Sequence, residues 1–246
     1  MKKILNYLFE HKSLSRLQAK EVLHNISTNI FTDAEIAAFI TVYLMRSITI
    51  QELQGFREAL LELCVPVNFD GYDVIDIVGT GGDGKNTFNI STVSSFIVAG
   101  TGIKVAKHGN YGASSISGSS NVMEQLGYTF KNNTAALTKE LDEANICFLH
   151  APMFHPALKV VGSIRKELGV RTFFNMLGPL VNPATPKYQL VGVYNLEMAR
   201  IYNYLLQQGS NAFTIIHSLD GYDEISLTGD VKVITNKGEK IFSAED

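Results

Sequence analysis

The chain has no apolar run approaching the ~20 residues that cross a bilayer, which excludes a transmembrane helix. Cysteine is scarce: Cys64 and Cys147 are the only two, far apart and in no metal-binding or disulfide pattern. They read as buried thiols of a reducing compartment, so a cytoplasmic protein is expected. A basic excess is also missing. With 21 Lys and Arg against 24 Asp and Glu the formal charge is −3, which argues against a general nucleic-acid binder. The opening "MKKILNYLFEHK" meets its acid and histidine too early for a signal peptide. The six histidines show no ligand spacing, and His150 and His155, flanking a proline, read as structural. No Ser-His-Asp or Cys-His arrangement stands out, and there are no repeats or low-complexity segments. One absence is local. From Gly84 to Met123 there is no Asp or Glu, while Lys85, Lys104 and Lys107 lie inside, so this stretch is prepared for an anion.

At 246 residues and 46 % hydrophobic content, the chain can bury a substantial core in one domain or two. Before Pro66 the pattern is helical. Thr32 to Glu35 and Thr49 to Glu52 spell two capping boxes. Apolar stripes at helical spacing follow each of them, Ile36, Phe39, Ile40, Tyr43, Leu44 and then Leu53, Phe56, Leu60, Leu63. So small a helical unit has several apolar faces, one of them a candidate subunit contact. After Gly71 strands alternate with helices. "YDVIDIVG", "IKVAKHG", "ICFLHA", "YQLVGVY" and "AFTIIHS" read as strands, with helices between them that include "HPALKVVGSIRKELG" as a single helix. Continuous apolar strands between helices imply a mostly parallel sheet covered on both faces, an α/β fold that binds ligands beyond the carboxyl ends of its strands.

"GTGGDGKN" stands at such an end. Gly79, Gly81 and Gly84 spell a dinucleotide fingerprint, but no acidic residue follows about 20 positions later to hold ribose hydroxyls. A P-loop needs Ser or Thr after Lys85, and Asn86 is there; a further loop runs to a helix cap near Asn89 or Ser91. What survives is either a tight turn without ligand or a glycine loop whose N–H groups approach a phosphate, with Asn89 to Thr92 at a helix N-terminus. "KHGNYGASSISGSS" repeats the theme at the next strand end. "DGYDEIS" offers adjacent Asp223 and Glu224, either solvated or suited to a hard divalent cation. In "SIRKELGVRTFFNMLGPLVNPA", Arg165 and Arg171 could fork a carboxylate or make surface salt bridges, and the run from Asn175 to Pro183 reads as a shaped loop rather than a helix.

"GTGGD", "NIST", "KHGN", "RTFFNMLGPLVNPA" and "DGYDE", in this order and spacing over essentially the whole chain, resemble the anthranilate phosphoribosyltransferase family of tryptophan biosynthesis. The first and third motifs also occur in pyrimidine nucleoside phosphorylases, the nearest enzyme rival; a non-catalytic nucleic-acid-binding relative should be basic and lack the acidic pair. The resemblance implies a helical domain over 1–70, joined by part of 155–182, and an α/β domain over 71–246. The family continues beyond "FSAED", so the chain is expected to lack the C-terminal part of that domain. Also implied are transfer of phosphoribose from phosphoribosyl pyrophosphate (PRPP) to anthranilate, two Mg2+ ions per site, and a homodimer through the helical domain, with no nucleic-acid or membrane partner. By motif, Gly79, Gly82, Asp83, Thr87, Asn89, Ile90, Ser91, Thr92, Lys107, His108, Gly109, Asn110, Ser114, Ser115 and Ser119 would hold PRPP. Gly79, Asn110 and Arg165 would face anthranilate, and Ser91, Asp223 and Glu224 would bind metal. Lys107, Asp223 and Glu224 would carry the catalytic role. Tyr111 and Ile116 stand where relatives have basic residues.

Overall fold

A computed structural model describes residues 1–112 and 117–245. In chain order its elements are α1 (Lys2–Phe9), α2 (Arg16–Ser27), α3 (Asp33–Met45), α4 (Ile50–Leu63), β1 (Ile75–Gly79), α5 (Ile90–Gly100), β2 (Val105–Gly109), α6 (Ser119–Gln125), α7 (Thr134–Ala144) and β3 (Ile146–His150). There follow α8 (Ala151–Phe154), α9 (Pro156–Val160), α10 (Gly162–Leu168), α11 (Phe174–Leu177), a 3₁₀ turn (Gly178–Leu180), β4 (Tyr188–Gly192), α12 (Leu196–Leu206), β5 (Ala212–Ser218), β6 (Val231–Thr235) and β7 (Gly238–Phe242). They divide into a helical unit, Met1–Pro66 with Pro152–Pro183, and an α/β unit, Val67–Ala151 with the chain from Ala184 on.

In the helical unit, α3 and α4 start at the two capping boxes, and α2 starts at a third, Ser15 with Gln18. This third box has the same Ser-x-x-Gln form in sequence and is followed by the buried stripe Ala19, Val22, Leu23, Ile26. The box at Thr49 also does a second job. Glu52, fully buried, accepts from the Leu14 N–H at 2.9 Å, from the Tyr43 hydroxyl at 3.2 Å and from Arg46 at 2.5 Å, tying the segment before α2 and the end of α3 to α4. Burial alone would raise its pKa; Arg46 and the N–H donors of Thr49 and Leu14 outweigh that and hold it below the ordinary value. Beside it Phe39, Tyr43, Phe56 and Phe173 form one aromatic cluster, Phe56 stacked on Phe173 at 4.7 Å. Full burial of Phe39 and Phe56 contributes about 1.5–3 kcal/mol each. Leu44, the outermost residue of the first stripe, is exposed.

Two expectations need correction. "HPALKVVGSIRKELG" is two helices, α9 and α10, because the chain turns at Val161 and Gly162, where glycine weakens the helix. The run from Asn175 is not simply a loop: Phe174–Leu177 is a helical turn continued by the 3₁₀ turn, held by burial of Phe174, Leu177, Pro179 and Leu180.

The α/β unit is built on a seven-stranded sheet of order β3-β2-β1-β4-β5-β6-β7. Strands β1 to β5 are parallel; β6 and β7 are antiparallel. In this last hairpin β6 buries Val231 and Ile234, whereas every residue of β7 is exposed, so the outer strand carries no buried face to be read in sequence. Helix α5 packs on β1 and β2, α7 on β3 and α12 on β5. The strands bury Ile77, Val105, Phe148, Val191 and Ile215. From β1 the chain builds outward through β2 and β3 on one side and β4 and β5 on the other. The loop after β1 therefore leaves the sheet at its topological switch point, where such folds open a crevice.

Candidate active site

The loop that leaves β1 owes its path to glycine. Gly81, Gly82 and Gly84 have φ of 61°, 89° and 74°, a left-handed region that costs other residues strain, and Asn86 joins them at 52°. In this path the backbone N–H groups of Gly82 and Asp83 have no partner among the described residues. Lys85 is spent differently from the sequence expectation of a free cation. Its backbone N–H donates to Asp83 Oδ1 at 3.1 Å, its ammonium donates to the Asp220 carbonyl at 2.9 Å, and it lies 4.5 Å from the Tyr222 ring centroid. It clasps the acidic loop. Asn89 stands at the N-cap of α5 as expected, yet its side chain makes no cap bond; its Nδ2 donates to the Ser117 carbonyl at 3.4 Å and so joins the first loop to the second. Thr87 is exposed, Ile90 opens α5, and Thr92 Oγ1 is buried without a partner among the described residues.

Lys107, in β2, is only 2 % exposed. Its ammonium donates to the Ile77 carbonyl at 2.6 Å and reaches Ser91 Oγ at 3.4 Å. Burial pulls its pKa down to about 8 against the opposing pull of Asp76. An anion near Ser91 would restore the full charge. The His108 N–H donates to Asp76 Oδ1, and Gly109 leaves room that a side chain would not: a Cβ there would lie 2.2 Å from Ser119 Oγ. Asn110 is exposed, and its carbonyl accepts from the Ser120 N–H at 3.1 Å, closing the second loop onto the start of α6. Ser114, Ser115 and Ile116 lie outside the described residues. Tyr111, in the position of a basic residue, donates its hydroxyl to Glu124 at 2.6 Å.

The acidic loop after β5 reaches back to β1. Gly79 and Gly192 are register partners at the ends of β1 and β4, and Asp223 lies against both. A Cβ on Gly79 would meet Asp223 Oδ2 at 2.6 Å, and one on Gly192 would meet the Asp223 carbonyl at 1.7 Å. Seated there, Asp223 Oδ2 accepts from the Gly81 N–H at 2.8 Å. Ser218 donates to the Glu224 carbonyl at 2.5 Å and accepts from the Ser226 N–H at 2.9 Å, which sets the loop's shape. One carboxylate oxygen from each of Asp83, Asp223 and Glu224 then lies within 4.8 Å of the others. Burial first, and the neighbouring carboxylates second, push Glu224 up to about 8; burial and Asp83 raise Asp223 too. Asp83 Oδ2 and Glu224 Oε2 are buried with no partner among the described residues. Three crowded acids with unsatisfied oxygens suit a hard divalent cation. Ser91 is placed beside Lys107, whereas Asp83, read from sequence as a PRPP contact, supplies the third acid.

Arg165 belongs to the helical unit. Its Nη2 donates to Asn175 Oδ1 at 3.3 Å and its guanidinium lies 5.5 Å from the Phe174 ring centroid. Burial lowers its pKa, and no carboxylate among the described residues pairs with it. A partly buried, unpaired guanidinium is a ready partner for a carboxylate ligand. Arg171 is exposed.

Residues 71–245 match the family described as "Glycosyl transferase family, a/b domain", and residues 2–64 match "Glycosyl transferase family, helical bundle domain". The anthranilate phosphoribosyltransferase of Flavobacterium psychrophilum is 64 % identical over 246 residues, covering all of this chain and 74 % of that protein. The chain belongs to the anthranilate phosphoribosyltransferase family. Among solved structures, the family member from Thermus thermophilus superposes with a TM-score of 0.87 at 32 % identity, over 98 % of this chain and 73 % of that one. The Saccharomyces cerevisiae anthranilate phosphoribosyltransferase in complex with PRPP and Mg follows at 0.84 and 29 %, over 94 % and 68 %.

For an anthranilate phosphoribosyltransferase relative, the sequence motifs leave one site residue unannounced and give another the wrong partner. Gly192 sits in "LVGVY", an ordinary strand by pattern, and only its register opposite Gly79 marks it as the seat of the acidic loop. Lys85 looks like a ligand for anions until its bond to Asp220 is seen. Both depend on pairings over more than a hundred residues, which no local pattern carries.

Proposed function

We propose that this chain transfers phosphoribose from PRPP to the amine of anthranilate, giving N-(5-phosphoribosyl)anthranilate and pyrophosphate. The observation that carries the proposal is the convergence of the three loops that follow β1, β2 and β5. The Asn89–Ser117 bond joins the first to the second, and the Gly81–Asp223 bond joins the first to the acidic loop. Gly79, Gly82, Asp83, Thr87, Asn89 to Thr92, Lys107 to Asn110 and Ser119 would hold PRPP, Lys107 placing its positive charge toward the phosphates. Asp83, Asp223 and Glu224, with Ser91, would hold Mg2+, expected as two ions. When bound, Mg2+ supplies positive charge to the pyrophosphate. Arg165 would take the anthranilate carboxylate and Asn110 its other polar edge.

In the reaction the bond from the anomeric carbon to pyrophosphate oxygen breaks with its electron pair, and the amine nitrogen forms the new bond and releases a proton. Such transition states are oxocarbenium-like, so the chain's task is to stabilise the leaving charge and align the amine. Lys107 and the N–H groups of the glycine loop serve the first need, and no covalent nucleophile is required. The helical unit leaves Leu17, Ile30 and Met45 well exposed, supporting a homodimer through that unit, which sedimentation equilibrium would detect. Two free cysteines are in keeping with a cytoplasmic setting. The direct test is a PRPP-dependent loss of anthranilate fluorescence with release of pyrophosphate. No change with PRPP and Mg2+ both present contradicts the proposal.

A further inference from the structure

Behind the second loop lies a cluster that the sites described above leave unused. His150 ends β3 as the register partner of Gly109, the residue from which the second loop departs. Its Nδ1 is 2.8 Å from Ser120 Oγ, and both residues are shut off from solvent, at 5 % and 0 % exposure. The imidazole is clamped. Phe130 stacks on it at 4.0 Å and 8°, and Tyr111 meets it edge-on at 4.9 Å. Ser120 in turn donates its backbone N–H to the Asn110 carbonyl, and Gly118, packed against that same carbonyl, donates its own N–H to Asn121 Oδ1 at 2.9 Å. Asn121 also accepts from Gly112 at 3.1 Å.

We infer that His150 is a positioning residue for PRPP binding: through Ser120 it fixes the end of the second loop, and with it Asn110 and Ser119, against the strand below. The inference rests on the proposed reading of that loop as a phosphoribose contact. The chemistry favours a neutral ring. Burial lowers the His150 pKa, opposed by the Glu124 carboxylate, which is engaged by the Tyr111 hydroxyl. The neutral ring can meet the buried Ser120 hydroxyl in either tautomer, Nδ1 accepting from it or donating to it. A ring packed only for its bulk would need no such bond.

Substitution separates bulk from bonding. His150→Phe keeps the stack on Phe130 and removes one partner of the hydrogen bond; Ser120→Ala removes the other. Each should raise the KM for PRPP by about five- to twentyfold, with kcat within about twofold and a clearly smaller rise in the KM for anthranilate, which meets Asn110 alone in this loop. His150→Asn, which can place an amide oxygen near Ser120, should recover part of the loss. The double variant should be no worse than either single one, since both delete the same bond. Melting temperatures of all variants identify any that fail to fold, in which case Ser120→Ala, the smallest change, decides. An unchanged KM for PRPP, equal losses for both substrates, or additive losses in the double variant would overturn the inference while leaving the proposed function intact. Absence of PRPP binding by the unaltered chain would overturn that function, and this inference with it.

Discussion

Arg165 states the residue-scale case most plainly. Its guanidinium is partly buried, stacked near Phe174 and bonded to a neutral amide, so burial acts on it without a compensating carboxylate. A charge-assisted bond to anthranilate would answer that cost. Arg165→Ala is expected to raise the anthranilate KM about ten- to a hundredfold, with PRPP affinity unchanged, as steady-state kinetics in both substrates would show. Equal losses for both substrates would give Arg165 a structural role only. Legibility at this scale follows reach. The two capping boxes, the stripe residues and the Asp223–Glu224 pair are local and could be read. Asp83 as a third acid and Asn89 as a bridge to Ser117 could not, because each owes its role to a residue far away in sequence.

At the scale of elements, the ends of strands carry the function. The Gly79–Gly192 pair removes two side chains where β1 and β4 meet, and the acidic loop drops into the gap. Gly192→Ala would put a Cβ 1.7 Å from the Asp223 carbonyl, so the loop must move. The expected result is a fall in Mg2+-dependent turnover of at least about tenfold, with the far-ultraviolet circular dichroism of the sheet retained. Normal turnover would mean that the loop tolerates displacement. The parallel strands were legible because continuous apolar runs between helices leave few alternatives. The β6–β7 hairpin was not, since its outer strand buries nothing, and the break at Val161 was hidden by a helical stripe that continues across it in sequence.

For the whole molecule, stability and binding are separable. His155, in the helical unit, is 1 % exposed and gives its Nε2 proton to the Val181 carbonyl at 2.8 Å. Burial lowers its pKa from the ordinary 6.5 to about 4. As the pH falls the unfolded chain therefore takes up this proton first. The contribution to stability is complete above pH 6.5 and is lost progressively down to about pH 4, at most about 3 kcal/mol. Chemical denaturation across that range should show the loss, and His155→Gln should flatten it.

Binding brings the crowded acids and the glycine loop to one ligand. Calorimetry of PRPP with and without Mg2+ tests that assignment directly. The expected result is binding that Mg2+ strengthens and that Asp223→Asn combined with Glu224→Gln uncouples from the metal. PRPP binding indifferent to Mg2+ in the unaltered chain, or metal dependence that survives loss of both acids, would contradict it.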